Sequence, residues 1–206
     1  MIDLYAAPTP EGWKVSIALE ELRIPYAVHP ASACEGPGLT PDYQRVSRCG
    51  CAPVIVDHDA DGCRISDAGP ALVYLAERQG QLMPADAIGR SRVMQWLMLP
   101  VDGADPARAP DPKSSREEML RLFTLFDRRL KESDYLAGSY SIADIAHWCW
   151  VRMHAWSDVD MHGFASLAHW LQRIAARDAT RRGLRALPTS ERPAEHVWRV
   201  KSILLR

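Results

Sequence analysis

Apolar positions in the first 80 residues follow two periods, one typical of strands and one typical of helices. Short runs rich in β-branched or aromatic residues predict strands at 2–5, 25–28, 54–56 and 63–66. Apolar residues spaced three and four apart predict helices at 10–22 and 68–79, and a short helical turn is expected at 42–46. The predicted order is therefore strand, helix, strand, helix, strand, strand, helix.

Capping residues and helix or strand breakers mark the ends of these elements. Thr9 is a candidate N-cap of the first helix, and Asp67 is a candidate N-cap of the helix that Gly80 would end. Pro53 has no backbone donor, so we expect it at the entrance of the strand 54–56. Backbone groups at that entrance would be presented to a ligand.

Beyond residue 80 the apolar pattern is almost wholly helical. Ser141 and Asp144 form a predicted capping box, and the helix that follows it has an apolar stripe extending towards Trp156. We therefore divide the chain into four units, which are a mixed α/β domain at 1–80, a linker at 81–87, an all-helical domain at 88–187 and a C-terminal extension at 188–206.

Composition mainly excludes function classes. The 206 residues carry a formal net charge of −1, which gives no electrostatic case for nucleic acid or a membrane surface as partner. No apolar run approaches the roughly 18 residues of a membrane span, and the N-terminus lacks the pattern of a signal peptide. We therefore expect a cytoplasmic protein, whose five cysteines are free thiols. No second Cys/His pair stands at ligand spacing, so no metal site is expected.

The order of elements and several short motifs together resemble the cytosolic glutathione transferases, which join a thioredoxin-like domain to an all-helical domain. The motifs are similar to those of the bacterial nu-class branch, whose members handle glutathione and disulfides. They are IDLY at 2–5, APTP at 7–10, ALVYLAE at 71–77, QW at 95–96 and YSIADIA at 140–146. The resemblance covers residues 1–187 and leaves the extension as an addition.

The resemblance implies where a thiol would bind. Pro53 would be the family's cis-proline, and the backbone of Ala52 would pair with the cysteinyl part of glutathione. Thr9 falls near the glutathione sulfur, where a hydrogen bond to the thiolate would lower the pKa of the thiol. Alternatively, Thr9 only caps the helix. Glu11 stands where nu-class members have asparagine, and its carboxylate would oppose a thiolate. By their positions in the resemblance, Thr9 and Glu11 are the candidate catalytic residues.

The other glutathione positions depart from the family pattern in one direction. Cys51 replaces a lysine or similar donor, and Ser66 and Asp67 replace the Glu-Ser or Gln-Ser that opens the third helix. Asp67 would occupy the helix amides that hold the γ-glutamyl carboxylate in the family. Pro100 replaces a glutamine in the second domain. These changes predict a ligand with less negative charge than glutathione, or one other than glutathione.

Cys49 and Cys51 flank Gly50 just before Pro53, where thioredoxin-like folds meet sulfur chemistry. One interpretation is a redox or resolving pair, whose disulfide would be strained and readily reduced. The other is that both are small, partly buried apolar residues that fill space. Either way, Cys51 in this position removes a glutathione contact.

A second-substrate pocket would be lined by Pro100, Trp148 and Trp156, although such an apolar stripe also fits a helix core. Three functions stay open. The first is a glutathione S-transferase-like enzyme acting on a thiol, by conjugation or thiol-disulfide exchange, at the cleft between the domains. The second is a family member serving another small ligand in a specialised pathway, and the third is a non-catalytic dimeric binding protein. The resemblance implies a homodimer with a small-molecule substrate.

Overall fold

The computed structural model describes residues 1–31, 46–47, 53–101, 111–153 and 159–187. The predicted extension 188–206 and, apart from Val46, the predicted helical turn 42–46 lie outside the described residues. The predicted strands and the long helices lie inside them.

The N-terminal residues form a mixed sheet of four strands in the order β2-β1-β3-β4. The strands are β1 (Ile2–Ala6), β2 (Tyr26–Pro30), β3 (Val54–Asp57) and β4 (Cys63–Ser66). β1 is parallel to β2 and antiparallel to β3, and β3 continues as an antiparallel hairpin into β4. This arrangement confirms the predicted strands and the thioredoxin-like domain.

The buried positions of the strands explain their places in the sheet. In β1 the side chains of Ile2, Leu4 and Ala6 are buried, whereas the alternating Asp3 and Tyr5 are only partly buried. All four residues of β3 are buried, as expected for an interior strand, and the exposed start of β4 fits an edge. The alternation in β1 therefore directs its apolar face towards the helices.

The structure has seven described α-helices. They are α1 (Pro10–Glu21), α2 (Ala68–Gln79), α3 (Ala87–Leu97), α4 (Pro112–Glu132), α5 (Ile142–Val151), α6 (Ala165–Ala175) and α7 (Asp178–Ala186). The predicted caps are confirmed at both ends of α2, where Asp67 precedes the helix and Gly80 ends it with a left-handed φ of 63°. Thr9 is confirmed as the N-cap of α1.

Two details of the helical domain differ from the predictions. α5 ends at Val151, so it does not continue to Trp156 as the apolar stripe suggested. α7 was not predicted, because the residues it buries are the small Ala179, Thr180 and Gly183, and its amphipathic pattern comes from charged residues on the opposite face and not from large apolar ones. Small residues allow α7 to approach its neighbour closely, which a hydrophobic pattern does not show.

Helix α1 joins the two domains by packing against α5 and α7. A Cβ atom at Gly183 would lie 2.7 Å from the backbone nitrogen and Cα of Ile17, so only glycine permits this approach. The Ser16 hydroxyl donates a 2.8 Å hydrogen bond to the Gly183 carbonyl. One hydrophobic core runs from the sheet through α1 into the helical layer.

Asp144 organises the start of α5 from a fully buried position. Its Oδ2 accepts from the backbone amide of Ser141 at 3.0 Å and from the Ser141 hydroxyl at 3.1 Å, which confirms the predicted capping box. Its Oδ1 accepts from the Leu136 amide and the Trp170 indole, both at 3.0 Å. Burial raises the pKa of Asp144, and these four donors oppose that rise.

None of the described helices is both long enough and apolar enough to cross a membrane. Within the same residues, no group of three or more His, Cys, Asp or Glu side chains is placed to hold a metal ion.

Candidate functional site

Thr9 lies in a tight turn that leads into α1. Its backbone amide donates to the Ala7 carbonyl at 2.8 Å, and its Oγ1 accepts from the Gly12 amide at 3.3 Å. A hydroxyl can accept and donate at once, so the O–H of Thr9 remains able to donate to a ligand. Gly12 is required for this turn, because a Cβ there would lie 2.1 Å from the Ala7 carbonyl oxygen.

Glu11 is held in a polar contact between the two domains. Its Oε1 accepts from Lys14 Nζ at 2.5 Å and from the indole nitrogen of Trp150 at 3.0 Å. Lys14 is only 8% exposed, and its Nζ also lies 5.7 Å from the ring centroid of Trp150. The charge of Glu11 is therefore balanced locally, which weakens the expectation that it repels a thiolate. Its catalytic role stays a prediction.

Pro53, Ser66 and Asp67 meet where β3 begins and β4 ends. Ser66 is paired with Val54, and the Asp67 amide donates to the Pro53 carbonyl at 2.9 Å. Asp67 has a φ of 76°, in the region that favours glycine, and its Oδ1 accepts from the Ala68 amide at 2.6 Å. Asp67 thus already occupies an amide at the start of α2, where an anionic ligand group was expected to compete with it.

The remaining predicted site residues are divided between the core, the surface and the undescribed segments. Trp148 is 3% exposed and its indole donates to the Leu171 carbonyl at 3.0 Å, which is the core position that the sequence left open as the alternative. Pro100 is exposed after α3. The other predicted residues lie outside the described part of the chain, and they are Cys49, Cys51, Ala52 and Trp156.

Two buried titratable groups on α5 are held in their uncharged forms near neutral pH. Burial raises the pKa of the Cys149 thiol to about 12, so this cysteine is not a thiolate near neutral pH. Burial lowers the pKa of His147 to about 4. Its Nε2 lies 2.6 Å from the Trp96 carbonyl, and because a carbonyl only accepts, Nε2 carries the proton and donates. His147 is 2% exposed, so it is a core histidine.

Sequence reasoning missed a cluster around Arg152, just after α5. The Arg152 Cζ lies 5.0 Å from the ring centroid of Trp13 and 5.0 Å from that of Trp148. Among the described residues, neither Arg152 Nη1 nor Trp13 Nε1 has a hydrogen-bond partner, although both atoms are buried. The available sequence signal was one charged residue in the otherwise apolar segment 148–153.

A cavity of about 430 Å³ lies elsewhere, between α3, α4 and the turn that precedes α5. It is lined by Arg92, Trp96, Arg129 and residues 136–138. All of these belong to the helical domain, so this cavity shares no residue with the group around Thr9.

The fold is that of the glutathione S-transferases, and comparisons with known proteins agree. The family model described as glutathione S-transferase, N-terminal domain, matches residues 4–82, and the one described as glutathione S-transferase, C-terminal domain, matches residues 90–178. The chain belongs to the glutathione S-transferase family.

Individual relatives point to the branch that the sequence motifs indicated. The chain is 34% identical over 203 residues to the disulfide-bond oxidoreductase YfcG of Escherichia coli (strain K12), a match that covers 89% of this chain and 94% of that protein. It is 27% identical over 212 residues to the disulfide-bond oxidoreductase YghU of the same organism, covering 88% of this chain and 73% of that protein.

Solved structures of similar proteins contain glutathione. A glutathione transferase family member from Pseudomonas fluorescens with two glutathione bound has a TM-score of 0.77 and 31% identity, over 89% of this chain and 92% of that chain. A glutathione transferase from Pseudomonas putida with one glutathione disulfide per subunit has a TM-score of 0.76 and 32% identity, over 89% and 90% of the two chains. These ligands belong to those proteins.

Proposed function

We propose that the protein is a glutathione-dependent thiol-disulfide oxidoreductase in which Thr9 holds the reactive sulfur. The observation that carries the proposal is the Thr9 hydroxyl, which accepts from the Gly12 amide and keeps its own proton free to donate. Support also comes from the similarity to YfcG and YghU, both named disulfide-bond oxidoreductases. The site would lie at the cleft between the domains 1–80 and 88–187 of a cytoplasmic homodimer, with a small disulfide as substrate.

The proposed reaction consists of two exchanges. The thiolate of one glutathione attacks a sulfur of the disulfide, so that a mixed disulfide forms and the other half leaves as a thiolate with the electron pair of the broken S–S bond. A second glutathione attacks the mixed disulfide, giving glutathione disulfide and the second thiol. Two thiols are oxidised and one disulfide is reduced, which balances the electrons without a metal or a further cofactor.

Thr9 would act on the attacking sulfur. A hydrogen bond from its hydroxyl stabilises the thiolate over the thiol and so lowers the pKa of the bound thiol. The positive potential at the start of α1 also stabilises the thiolate and so lowers the pKa of the bound thiol further. The hydrogen bonds that Glu11 Oε1 receives from Lys14 and Trp150 reduce its opposing effect on the thiolate.

Asp67 favours a second candidate, in which the thiol is not ordinary glutathione. Its carboxylate accepts a hydrogen bond from the Ala68 amide at the start of α2. The family resemblance places the γ-glutamyl carboxylate of glutathione at this same start. A thiol without a carboxylate at that position would avoid the repulsion from Asp67. Titration of the protein with glutathione by calorimetry distinguishes the two candidates, since micromolar binding supports glutathione and absence of binding supports another thiol.

The test of Thr9 compares Thr9→Val with Thr9→Ser in the glutathione-dependent reduction of a neutral dialkyl disulfide. Hydrogen bonds to charged groups contribute about 1.5 to 3 kcal/mol, so we expect kcat/KM to fall roughly tenfold to a hundredfold in Thr9→Val. The apparent pKa of the thiol in the pH-rate profile should also rise. Thr9→Ser keeps the hydroxyl and should retain both values. Equal rates and pH profiles for wild type and Thr9→Val would contradict the role of Thr9.

A further inference from the structure

Two buried donors lie together where α1 meets the end of α5, and neither has an acceptor in the described ranges. Trp13 is 4% exposed and its Nε1 has no partner among the described residues, and the same holds for Nη1 of Arg152. The Arg152 Cζ is 5.0 Å from the centroid of the Trp13 ring, so both groups border one small region. Such unpaired buried donors are rare in native proteins, and each needs an explanation.

Within the described part of the chain, no carboxylate forms an ion pair with Arg152. The Glu11 carboxylate on α1 receives its hydrogen bonds from Lys14 and Trp150 and makes none with Arg152. Burial lowers the pKa of the Arg152 guanidinium. Glu11, Lys14 and Arg152 therefore carry a net charge of about +1 in a largely buried place, which an anion would neutralise.

Stacking on aromatic rings explains only part of this arrangement. The rings of Trp13 and Trp148, each 5.0 Å from Cζ, give Arg152 a favourable cation–π environment. That interaction needs only the ring faces, so it accounts for the position of the guanidinium and leaves the indole N–H of Trp13 without a partner. An acceptor with two oxygens would satisfy both donors at once.

Trp13, which carries one of the two donors, lies one helical turn from Thr9, the proposed sulfur position. The Trp13 amide donates to the Thr9 carbonyl at 2.9 Å, so Trp13 is in the first turn of the helix that Thr9 caps. One turn of an α-helix rises about 5.4 Å, which is within the length of a small disulfide. Arg152 as a whole residue is only partly buried, although its Nη1 is buried.

We propose that Trp13 and Arg152 form a carboxylate-binding site for the substrate, with one carboxylate oxygen on the indole N–H and the other on the guanidinium. The inference rests on the proposed function, because it names the substrate class as a disulfide that carries a carboxylate. It also moves the anion-binding position away from the start of α2, where Asp67 already occupies the Ala68 amide.

The test uses a matched pair of probes, 3,3′-dithiodipropionate and its dimethyl ester, in calorimetric titrations at low salt. The wild-type protein should bind the diacid roughly tenfold more tightly than the ester, as expected for hydrogen bonds to a charged group. Trp13→Phe keeps the ring and removes the N–H, and Arg152→Gln removes the charge. Each should abolish most of this preference, and Arg152→Lys should restore part of it.

The control variant is Arg116→Gln, which removes the same charge from an exposed position on α4 and should keep the tenfold preference. No preference in the wild-type protein, no binding of the diacid, or an unchanged preference in Trp13→Phe and Arg152→Gln would overturn the proposal. Turnover measured with both probes and glutathione separates the two proposals. Binding that depends on Trp13 and Arg152 without turnover would retain the carboxylate site and reject the oxidoreductase function.

Discussion

The two ends of helix α1 contact the helical domain in opposite ways. At its C-terminal end, Glu21 receives two hydrogen bonds from Arg177 at 2.6 and 2.8 Å and a third from the Tyr140 hydroxyl at 3.1 Å. At its N-terminal end, Trp13 and Arg152 each keep an unpaired buried donor among the described residues. One end has its charges paired, and the other has a surplus of donors.

The difference separates structural from functional polar groups in one interface. A paired end fixes the angle between the domains, because every charged group there is satisfied without a ligand. Unpaired buried donors at an end lower the stability of the free protein, and this loss is offset only when a ligand supplies an acceptor. The comparison therefore predicts that changes at the C-terminal end and at α7 reduce stability, whereas changes at the N-terminal end mainly alter binding.

The largest effect is expected for Gly183→Ala, which would break the contact between α1 and α7. The added methyl group would lie 2.7 Å from the backbone of Ile17, which cannot move aside as a side chain could. Overpacking of this kind costs about 3 kcal/mol, measured as the change in the free energy of unfolding in urea. Gly69→Ala is the control, because no atom lies within 4 Å of its added methyl group. Equal unfolding midpoints for both variants would contradict the close-packing explanation.

A smaller loss of stability is expected for Glu21→Gln. The Glu21 side chain is 7% exposed, and its replacement leaves Arg177 without its counter-charge. Because Arg177 is 34% exposed, we expect about 2 kcal/mol rather than the larger cost of a fully buried pair. Glu20→Gln is the matched control on the same turn, since its partner Arg182 is 53% exposed and solvent can replace the contact. A larger loss of stability for Glu20→Gln than for Glu21→Gln would contradict the prediction that the Glu21–Arg177 pair is the more stabilising of the two.

The smallest effect on stability is expected for Glu11→Gln, at the N-terminal end. The Glu11 side chain is 29% exposed, against 7% for Glu21, so solvent already weakens its pair with Lys14. Glutamine also keeps an acceptor for Lys14 and Trp150, so the free energy of unfolding should fall by only about 1 kcal/mol. Loss of the negative charge should tighten the binding of 3,3′-dithiodipropionate and leave its dimethyl ester unaffected. Glu117→Gln, at an exposed position on α4, should change neither value. Weaker binding of the diacid by Glu11→Gln would show that Glu11 itself contacts the ligand.

Local signals made most of the fold predictable from the sequence. The bounds of α2 follow from Asp67 and Gly80, and the start of α5 follows from Ser141 and Asp144, because caps act within one turn of the chain. α7 gave no such signal. Its contact depends on the absence of a side chain at Gly183, and its amphipathic pattern is made by charged residues opposite small ones, without the large apolar residues used to find the other helices.

The candidate site was less predictable because its contacts join distant parts of the chain. Thr9 could be named from a motif, since its hydrogen bond to Gly12 is local. The pairing of Glu11 with Trp150 and the approach of Arg152 to Trp13 depend on how α1 and α5 are oriented. Glu11, which was predicted to oppose a thiolate, receives such a tertiary hydrogen bond from Trp150 in addition to its local contact with Lys14.

The buried carboxylate of Asp144 has a consequence for water in the helical domain. A carboxylate offers about four positions for hydrogen-bond donors, and the amides of Ser141 and Leu136, the Ser141 hydroxyl and the Trp170 indole supply four. These groups take the place of a hydration shell, assembled from the start of α5, the turn before it and α6. The hydrogen-bond positions of this buried carboxyl group are therefore filled by the protein's own donors.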